Sequence, residues 1–95
     1  MNEEVAQALM DEWIKELRRS SYQEVLELIN NSQSKEINGS DGKRYQLEAL
    51  AFWDIPGKKH NIRVLVAVDD GTFWRACKPL TTSFIISPDG SFVGQ

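Results

Sequence analysis

The chain has 95 residues, 41% of them hydrophobic and 26% charged, with a formal net charge of −3 and a pI near 5.1. This length closes one hydrophobic core and leaves no surplus for a second, so we expect a single domain over residues 1–95, helical over 1–30 and a sheet over 35–95. The acidic balance argues against nucleic-acid binding, which needs a concentrated basic face, and the longest apolar run falls far short of the roughly 20 residues that cross a bilayer.

The chain contains a single cysteine, Cys77, which excludes an internal disulfide and a metal site built from several cysteines. The N-terminal residues are acidic and amphipathic, and they lack the basic segment and small-residue cleavage site of a secretory signal. We therefore expect a cytoplasmic protein without a membrane span, a metal ion or a cofactor.

The first predicted element is an amphipathic helix at the N-terminus. Asn2 is a residue type that caps helices, and acidic residues in the first turn with Arg18 and Arg19 in the last turn match the helix dipole. The apolar residues fall within about a half-turn of the helical wheel and are Val5, Ala6, Leu9, Met10, Trp13, Ile14 and Leu17. Such a stripe is typical of a membrane- or partner-binding helix or of a helix packed on its own core. The second interpretation is favoured, because a chain of this length needs the core.

A second, shorter helix is predicted to begin at Ser21. The sequence SYQE is a capping box, in which the side chains of Ser21 and Glu24 each bond a free backbone N–H group at the helix start. The apolar residues on one face of this helix are Tyr22, Val25, Leu26 and Ile29. The polar sequence NNSQS that follows is typical of a linker to the next element.

After Lys35 the pattern changes from helices to strands. The turn sequences NGSDG, PG, DDG and SPDG recur about every ten residues, which is typical of an antiparallel meander. The predicted strands cover 35–38, 44–54, 61–69, 73–87 with an interruption at Pro79, and 91–93. The fold class is therefore α+β, with two N-terminal helices packed on one face of a curled sheet of four or five antiparallel strands. In the order and type of its elements alone, this arrangement resembles in outline the cystatin-like folds.

The Pro-Gly turn at residues 56 and 57 predicts the register of the longest hairpin. A simple hairpin at this turn pairs Asp54 with Asn61, Leu50 with Leu65, and Gln46 with Asp69. A strand of about ten residues is roughly 30 Å long, so the two Phe-Trp pairs, at 52–53 and 73–74, are expected at opposite ends of the sheet. They are then too far apart to form one aromatic clamp for a ligand.

Two groups of reactive side chains give weak indications of chemistry. Cys77 and His60 supply a thiol and a base, but they lie on different elements without a local catalytic signature, so a buried cysteine and a turn histidine are the favoured interpretation. Asp41, Asp69 and Asp70 lie in turns at one end of the sheet and could hold a hard cation weakly, but turn-forming carboxylates explain them better. We therefore expect no catalytic residue and no metal site.

The strand over 44–54 breaks its own alternation, and this is the most informative feature of the sequence. The odd-numbered positions are apolar throughout and form the predicted core face, with Tyr45, Leu47, Ala49, Ala51 and Trp53. The even-numbered positions are polar at the start of the strand and become apolar at Leu50 and Phe52, and Leu65 is the predicted partner of Leu50 on the next strand. A sheet with one solvated face should alternate to its end. We therefore expect these side chains to be covered by Phe84, Ile85 or the Phe92-Val93 segment of the same chain, by a second copy, or by another protein.

Two functions are consistent with these features. The first is a small, acidic, non-catalytic interaction module that binds itself as a homodimer or binds a protein partner. Its predicted contact residues are Leu50, Phe52 and Leu65 with the adjacent basic residues Lys58, Lys59, His60 and Arg63. The alternative is a small-ligand-binding or enzymatic domain with a pocket between the first helix and the curled sheet. The residues predicted to line that pocket are Trp13, Tyr45, Trp53 and Trp74, for which a place in the core is the simpler interpretation.

Overall fold

Two helices precede an antiparallel sheet in the computed structural model, which describes residues 2–69 and 80–93. The elements are α1 (Glu3–Arg18), α2 (Tyr22–Glu27), β1 (Gln33–Asn38), β2 (Arg44–Ile55), β3 (Lys58–Asp69), β4 (Leu80–Ile86) and β5 (Phe92–Val93). The strands pair in the order β1-β2-β3-β4-β5, and every pairing is antiparallel. The predicted α+β fold is confirmed. Residues 73–79 of the predicted fourth strand, which include Trp74, Cys77 and Pro79, lie outside the described residues.

Both helices begin at the predicted caps. The Asn2 side chain accepts hydrogen bonds from the backbone N–H groups of Glu4 and Val5, at 3.1 and 3.2 Å. At α2, the Ser21 hydroxyl accepts from the Glu24 N–H at 3.1 Å, and the Glu24 carboxylate accepts from the Ser21 N–H at 2.8 Å. This bond from the Ser21 backbone is the main cause that lowers the pKa of Glu24. No helix within the described ranges has the length and apolar character needed to span a bilayer.

Both helices pack on one face of the sheet, which we call the core face. α1 contacts β3 and β4, and α2 contacts β3. The largest fully buried side chains are Met10, Val25, Tyr45, Leu47, Ile62, Val64, Val66, Val68 and Ile86. Residues of β2 and β3 that alternate with these point to the opposite side, which we call the open face. The apolar stripe of α1 is therefore a core stripe in this structure, because Ala6, Met10, Trp13 and Leu17 are buried in the same cluster.

The β2–β3 hairpin follows the predicted register over most of its length. Leu50 pairs with Leu65, and Gln46 pairs with Asp69, as predicted. The hairpin differs at its tip, where β3 begins at Lys58 and the predicted Asp54–Asn61 pair is absent. The cause is a tight turn in which Gly57 has φ of +83°, so the return strand starts immediately after it. Between the Trp53–Ile62 and Ile55–Lys58 pairs, β3 contains two more residues than β2, which makes a bulge.

A glycine is required at position 39, where the β1–β2 turn passes under α1. A Cβ atom added to Gly39 would lie 2.6 Å from Cε1 of Tyr45 and 2.7 Å from Cγ1 of Val5. Tyr45 is fully buried, so its ring cannot move aside. We expect Gly39→Ala to lower the free energy of unfolding by about 1–3 kcal/mol, measured by urea denaturation.

Gly42 provides the control for this prediction. It lies in the same turn with φ of +81°, but a Cβ atom there has no neighbour within 4 Å. Asparagine tolerates this backbone conformation, so Gly42→Asn should cost less than about 1 kcal/mol. Equal losses for the two variants would show that the crowding at Gly39 is not the cause.

Candidate functional site

The open face is polar at one end and apolar toward the β2–β3 hairpin. We call a row the residues that lie side by side on this face on neighbouring strands. One row consists of Leu50, Leu65 and Ser83. The next row toward the hairpin consists of Phe52, Arg63, Ile85 and Val93. We call the five apolar side chains Leu50, Phe52, Leu65, Ile85 and Val93 the apolar patch. Phe52 is 41% exposed and Val93 is 38% exposed. Within the part of the chain that the structure describes, no helix or strand covers them.

The C-terminal strands extend the patch. Phe84 is buried on the core face and makes an edge-to-face contact with Phe92, with ring centroids 5.6 Å apart. The Arg18 guanidinium from α1 lies 5.4 and 5.1 Å from the centroids of these two rings. Ile85 and Val93, which alternate with the two phenylalanines, therefore point to the open face. They enlarge the patch instead of covering it.

Sequence reasoning missed Ile85 and Val93 as members of the patch. Both were considered as residues that could cover Phe52, because the sequence does not reveal on which side of the sheet a C-terminal strand places its side chains. The register decides this question, since Ile85 pairs with Arg63 and Val93 pairs with Ile85. A signal was present in the alternation of β4, where Phe84 and Ile86 are the core residues and Ile85 lies between them.

Arg63 lies inside the apolar patch and is held by an acidic neighbour. Its Nε and Nη2 atoms donate to Oδ1 of Asp54 at 3.3 and 3.1 Å, and its Nη1 atom makes a longer contact of 3.4 Å with the Ser83 hydroxyl. The Asp54 side chain is only 19% exposed, so the ion pair is partly shielded from water. Arg63 was grouped with the basic residues beside the patch, and the structure places it on the predicted strand, between Phe52 and Ile85.

The other predicted basic residues lie at the hairpin end of the sheet. Lys58, Lys59 and His60 are exposed in the first part of β3, next to the row that contains Phe52. Among the described residues, no acidic side chain forms an ion pair with Lys58 or Lys59. The Tyr22 hydroxyl donates to the carbonyl oxygen of His60 and thereby joins the start of α2 to the hairpin. These three residues lie at the hairpin end of the sheet, beyond the row of Phe52, and their role in binding a partner stays a prediction.

The aromatic residues of the alternative pocket are largely core residues. Trp13 is 5% exposed, Tyr45 is fully buried, and the partly buried Trp53 packs against the same core. Trp74 lies outside the described residues. The Tyr45 hydroxyl donates to Oδ2 of Asp41 at 2.6 Å, and this bond is the main cause that lowers the pKa of Asp41. Tyr45 is therefore satisfied by its own turn and does not offer its hydroxyl to a ligand.

A groove does border Trp13, but on the side of α2 and β1. Its other lining residues are Glu16, Leu17, Ser20, Glu24, Val25, Glu27, Leu28 and Gln33. The Lys35 ammonium lies 4.3 Å from the centroid of the Trp13 indole and 3.7 Å from the Glu16 carboxylate. This cation occupies the exposed side of the indole and neutralises one of the three carboxylates, so the groove is explained by the packing of α1, α2 and β1.

Asp41 and Asp89 are turn carboxylates that accept hydrogen bonds from residues of their own turns. Asp89 accepts hydrogen bonds from the Ser87 hydroxyl and from the backbone and hydroxyl of Ser91, and these bonds lower its pKa to about 2. They close the turn that leads into β5 and so position Val93. Over residues 2–69 and 80–93, no group of three or more histidine, cysteine, aspartate or glutamate side chains could hold a metal ion. Asp70 lies outside those ranges.

Comparisons with known proteins find no match: no family model matches the chain, and no curated protein or solved structure is significantly similar to it. The outline resemblance to cystatin-like folds therefore stays a prediction, while the α+β architecture is a property of the structure itself. Among the described surfaces, the open face is the one whose apolar composition requires an explanation.

Proposed function

We propose that this chain is a non-catalytic protein-interaction module, which binds a second copy or another protein through the apolar patch and the adjacent basic residues. The observation that carries the proposal is the exposure of Phe52 and Val93, beside the half-buried Leu50, Leu65 and Ile85, on a sheet face that no described element covers. Removing apolar surface from water is worth about 25 cal/mol per Å². Contiguous apolar patches rimmed by polar residues are typical of interaction sites.

The composition of the open face supports the same proposal. Interfaces have an apolar centre enriched in aromatic residues and arginine and a charged rim. Here Phe52 and Arg63 occupy one row, with Leu50 and Leu65 beside them. Exposed charges flank this centre, with Glu48 on one side and the basic residues of the hairpin on the other. A cytoplasmic location, which the single cysteine suggests, forms part of this proposal.

The alternative function, a ligand-binding or enzymatic domain, has less support. Of the four aromatic residues predicted to line its pocket, Trp13 and Tyr45 are buried in the core and Trp53 packs against it, while Trp74 lies outside the described residues. Buried aromatic side chains of this kind contribute to stability and leave no surface for a ligand. No observation in the described residues favours the ligand-binding function over the interaction function.

A photo-crosslinking residue at position 52 tests the proposed function. We expect ultraviolet light to join the purified chain, or a partner in a lysate of the cells that make it, to this position. Position 12 is the control, because Glu12 is exposed on α1, which packs on the core face on the other side of the sheet. Adding Leu65→Glu should abolish the adduct at position 52. No adduct at 52, or equal adducts at both positions, would contradict the proposal.

A further inference from the structure

One charged side chain lies on each side of the row formed by Leu50 and Leu65, on the same face of the sheet. The row before Leu50 contains Glu48, which is exposed and forms no ion pair within the described part of the chain. The row after Leu50 contains Arg63. The central row, formed by Leu50 and Leu65 with Ser83, is uncharged. The acidic Glu48 therefore lies one row before the uncharged central row, and the basic Arg63 lies one row after it.

This pattern is self-complementary under one particular two-fold rotation. A second copy can pack face to face with the first, related to it by a two-fold axis that lies between the two sheets. This axis runs perpendicular to the strands and passes over the row of Leu50 and Leu65. Such an axis reverses the strand direction, so the row of Glu48 in one copy faces the row of Arg63 in the other. An axis parallel to the strands would instead place each row over itself. That orientation brings like charges together and is disfavoured.

The geometry of Arg63 suits a second acidic partner. Asp54 engages its Nε and Nη2 atoms, whereas Nη1 makes only the 3.4 Å contact with Ser83 in the described part of the chain. A carboxylate from a facing sheet can therefore accept a hydrogen bond from Nη1 without displacing Asp54. Facing sheets pack about 10 Å apart, a gap that long arginine and glutamate side chains bridge together.

From this complementarity we infer that the occupant of the apolar patch is a second copy of this chain, packed face to face with its strands reversed. The inference rests on the proposed function and identifies its partner. Leu50 and Leu65 pack against the same residues of the second copy at the centre of the dimer. Glu48 of each copy pairs with Arg63 of the other, so the dimer contains this ion pair twice.

A charge-exchange experiment tests the inference. In the first variant, Glu48→Arg, position 48 repels Arg63 of a second copy. The second variant combines Arg63→Glu with Asp54→Lys, which keeps the ion pair between positions 54 and 63 with its charges exchanged. The new glutamate at position 63 repels Glu48 of a second copy. Like charges facing each other across an interface cost several kcal/mol, so we expect each variant alone to dimerise at least about 100-fold more weakly than the wild type. An equimolar mixture of the two should restore the dimer as a heterodimer.

Sedimentation velocity measures the dimers, native mass spectrometry distinguishes the heterodimer by mass, and circular dichroism verifies that each variant is folded. A monomeric wild type, variants that dimerise like the wild type, or a mixture that stays monomeric would overturn the inference. A crosslink from position 52 to a different protein would also overturn it, while leaving the proposed function intact.

A second measurement does not depend on the folding of the charge variants. A photo-crosslinking residue at position 65 in the otherwise unchanged chain should give a product of twice the chain mass. Its attachment site should lie on β2 or β3 of the second copy, near Leu50 and Leu65. Attachment to α1 or α2, or no product of this mass, would overturn the inferred arrangement.

Discussion

Replacing Trp13 with alanine is expected to lower the free energy of unfolding by about 3–5 kcal/mol, the usual cost of truncating a large buried aromatic side chain. Trp13 is 5% exposed and belongs to the core cluster formed by α1 and the core face. The loss includes the cavity left by the indole and the contact of the Lys35 ammonium with the ring, at 4.3 Å from its centroid. Since small domains are stable by only about 5–15 kcal/mol, the variant should retain a small part of its stability. Urea denaturation followed by circular dichroism measures the change.

Phe52→Ala is the matched control, because it truncates an aromatic residue of the open face. Phe52 is 41% exposed, so its removal leaves no closed cavity, and we expect a change of less than about 1 kcal/mol. Both variants should be measured at low protein concentration, so that association does not contribute to the apparent stability. Similar losses for Trp13→Ala and Phe52→Ala would contradict the division of these aromatic residues between a core and an exposed patch.

Sequence reasoning succeeded where one local interaction determines the structure. The caps at Asn2 and Ser21 were predictable because a side chain satisfies N–H groups two or three residues away. The two-residue turn alone would pair Leu50 with Arg63, and the bulge of two residues restores the predicted pairing with Leu65. A shift of two residues leaves every side chain on the same face of the sheet, so the apolar character of the open face was predictable from alternation in either register.

The sequence was less informative where distant segments meet. Arg63 was grouped with Lys58 and Lys59 because these residues are close in the chain. Its place on the open face follows from its pairing with Phe52 across the strands, and its ion pair joins it to Asp54, two positions further along β2. Likewise, the position of Val93 beside Ile85 follows from the turn that Asp89 closes and not from the composition of β5. In both cases a long-range contact determines the role of a residue whose neighbours in sequence suggest another.

The same limit explains why the sequence predicts a surface but not its partner. The break in alternation at Leu50 and Phe52 shows that apolar side chains point away from the core, whatever covers them. The choice among possible partners depends on how charges are arranged around the patch in two dimensions. Glu48 and Arg63 are 15 positions apart in the chain, yet the pairing of β2 with β3 places them one row on either side of Leu50.

Phe52→Asp should weaken self-association by at least about 30-fold, which corresponds to the loss of about 2 kcal/mol that defines an interface hot spot. The substitution removes a large apolar side chain and places a carboxylate in the patch. In the proposed dimer the row of Phe52 faces the row of Glu48, so the new charge would also lie near another carboxylate. Sedimentation equilibrium over a range of concentrations measures the dissociation constant.

Ile55→Asp separates this effect from a general change in surface charge. It makes the same substitution at a side chain that is 51% exposed, at the hairpin turn and outside the apolar patch. If burial in the interface is what makes Phe52 important, the dissociation constant of the Ile55→Asp dimer should stay within about threefold of the wild-type value, a change of less than about 1 kcal/mol. Equal weakening by the two variants would mean that net charge controls association. Full association of Phe52→Asp would mean that the patch is not the interface.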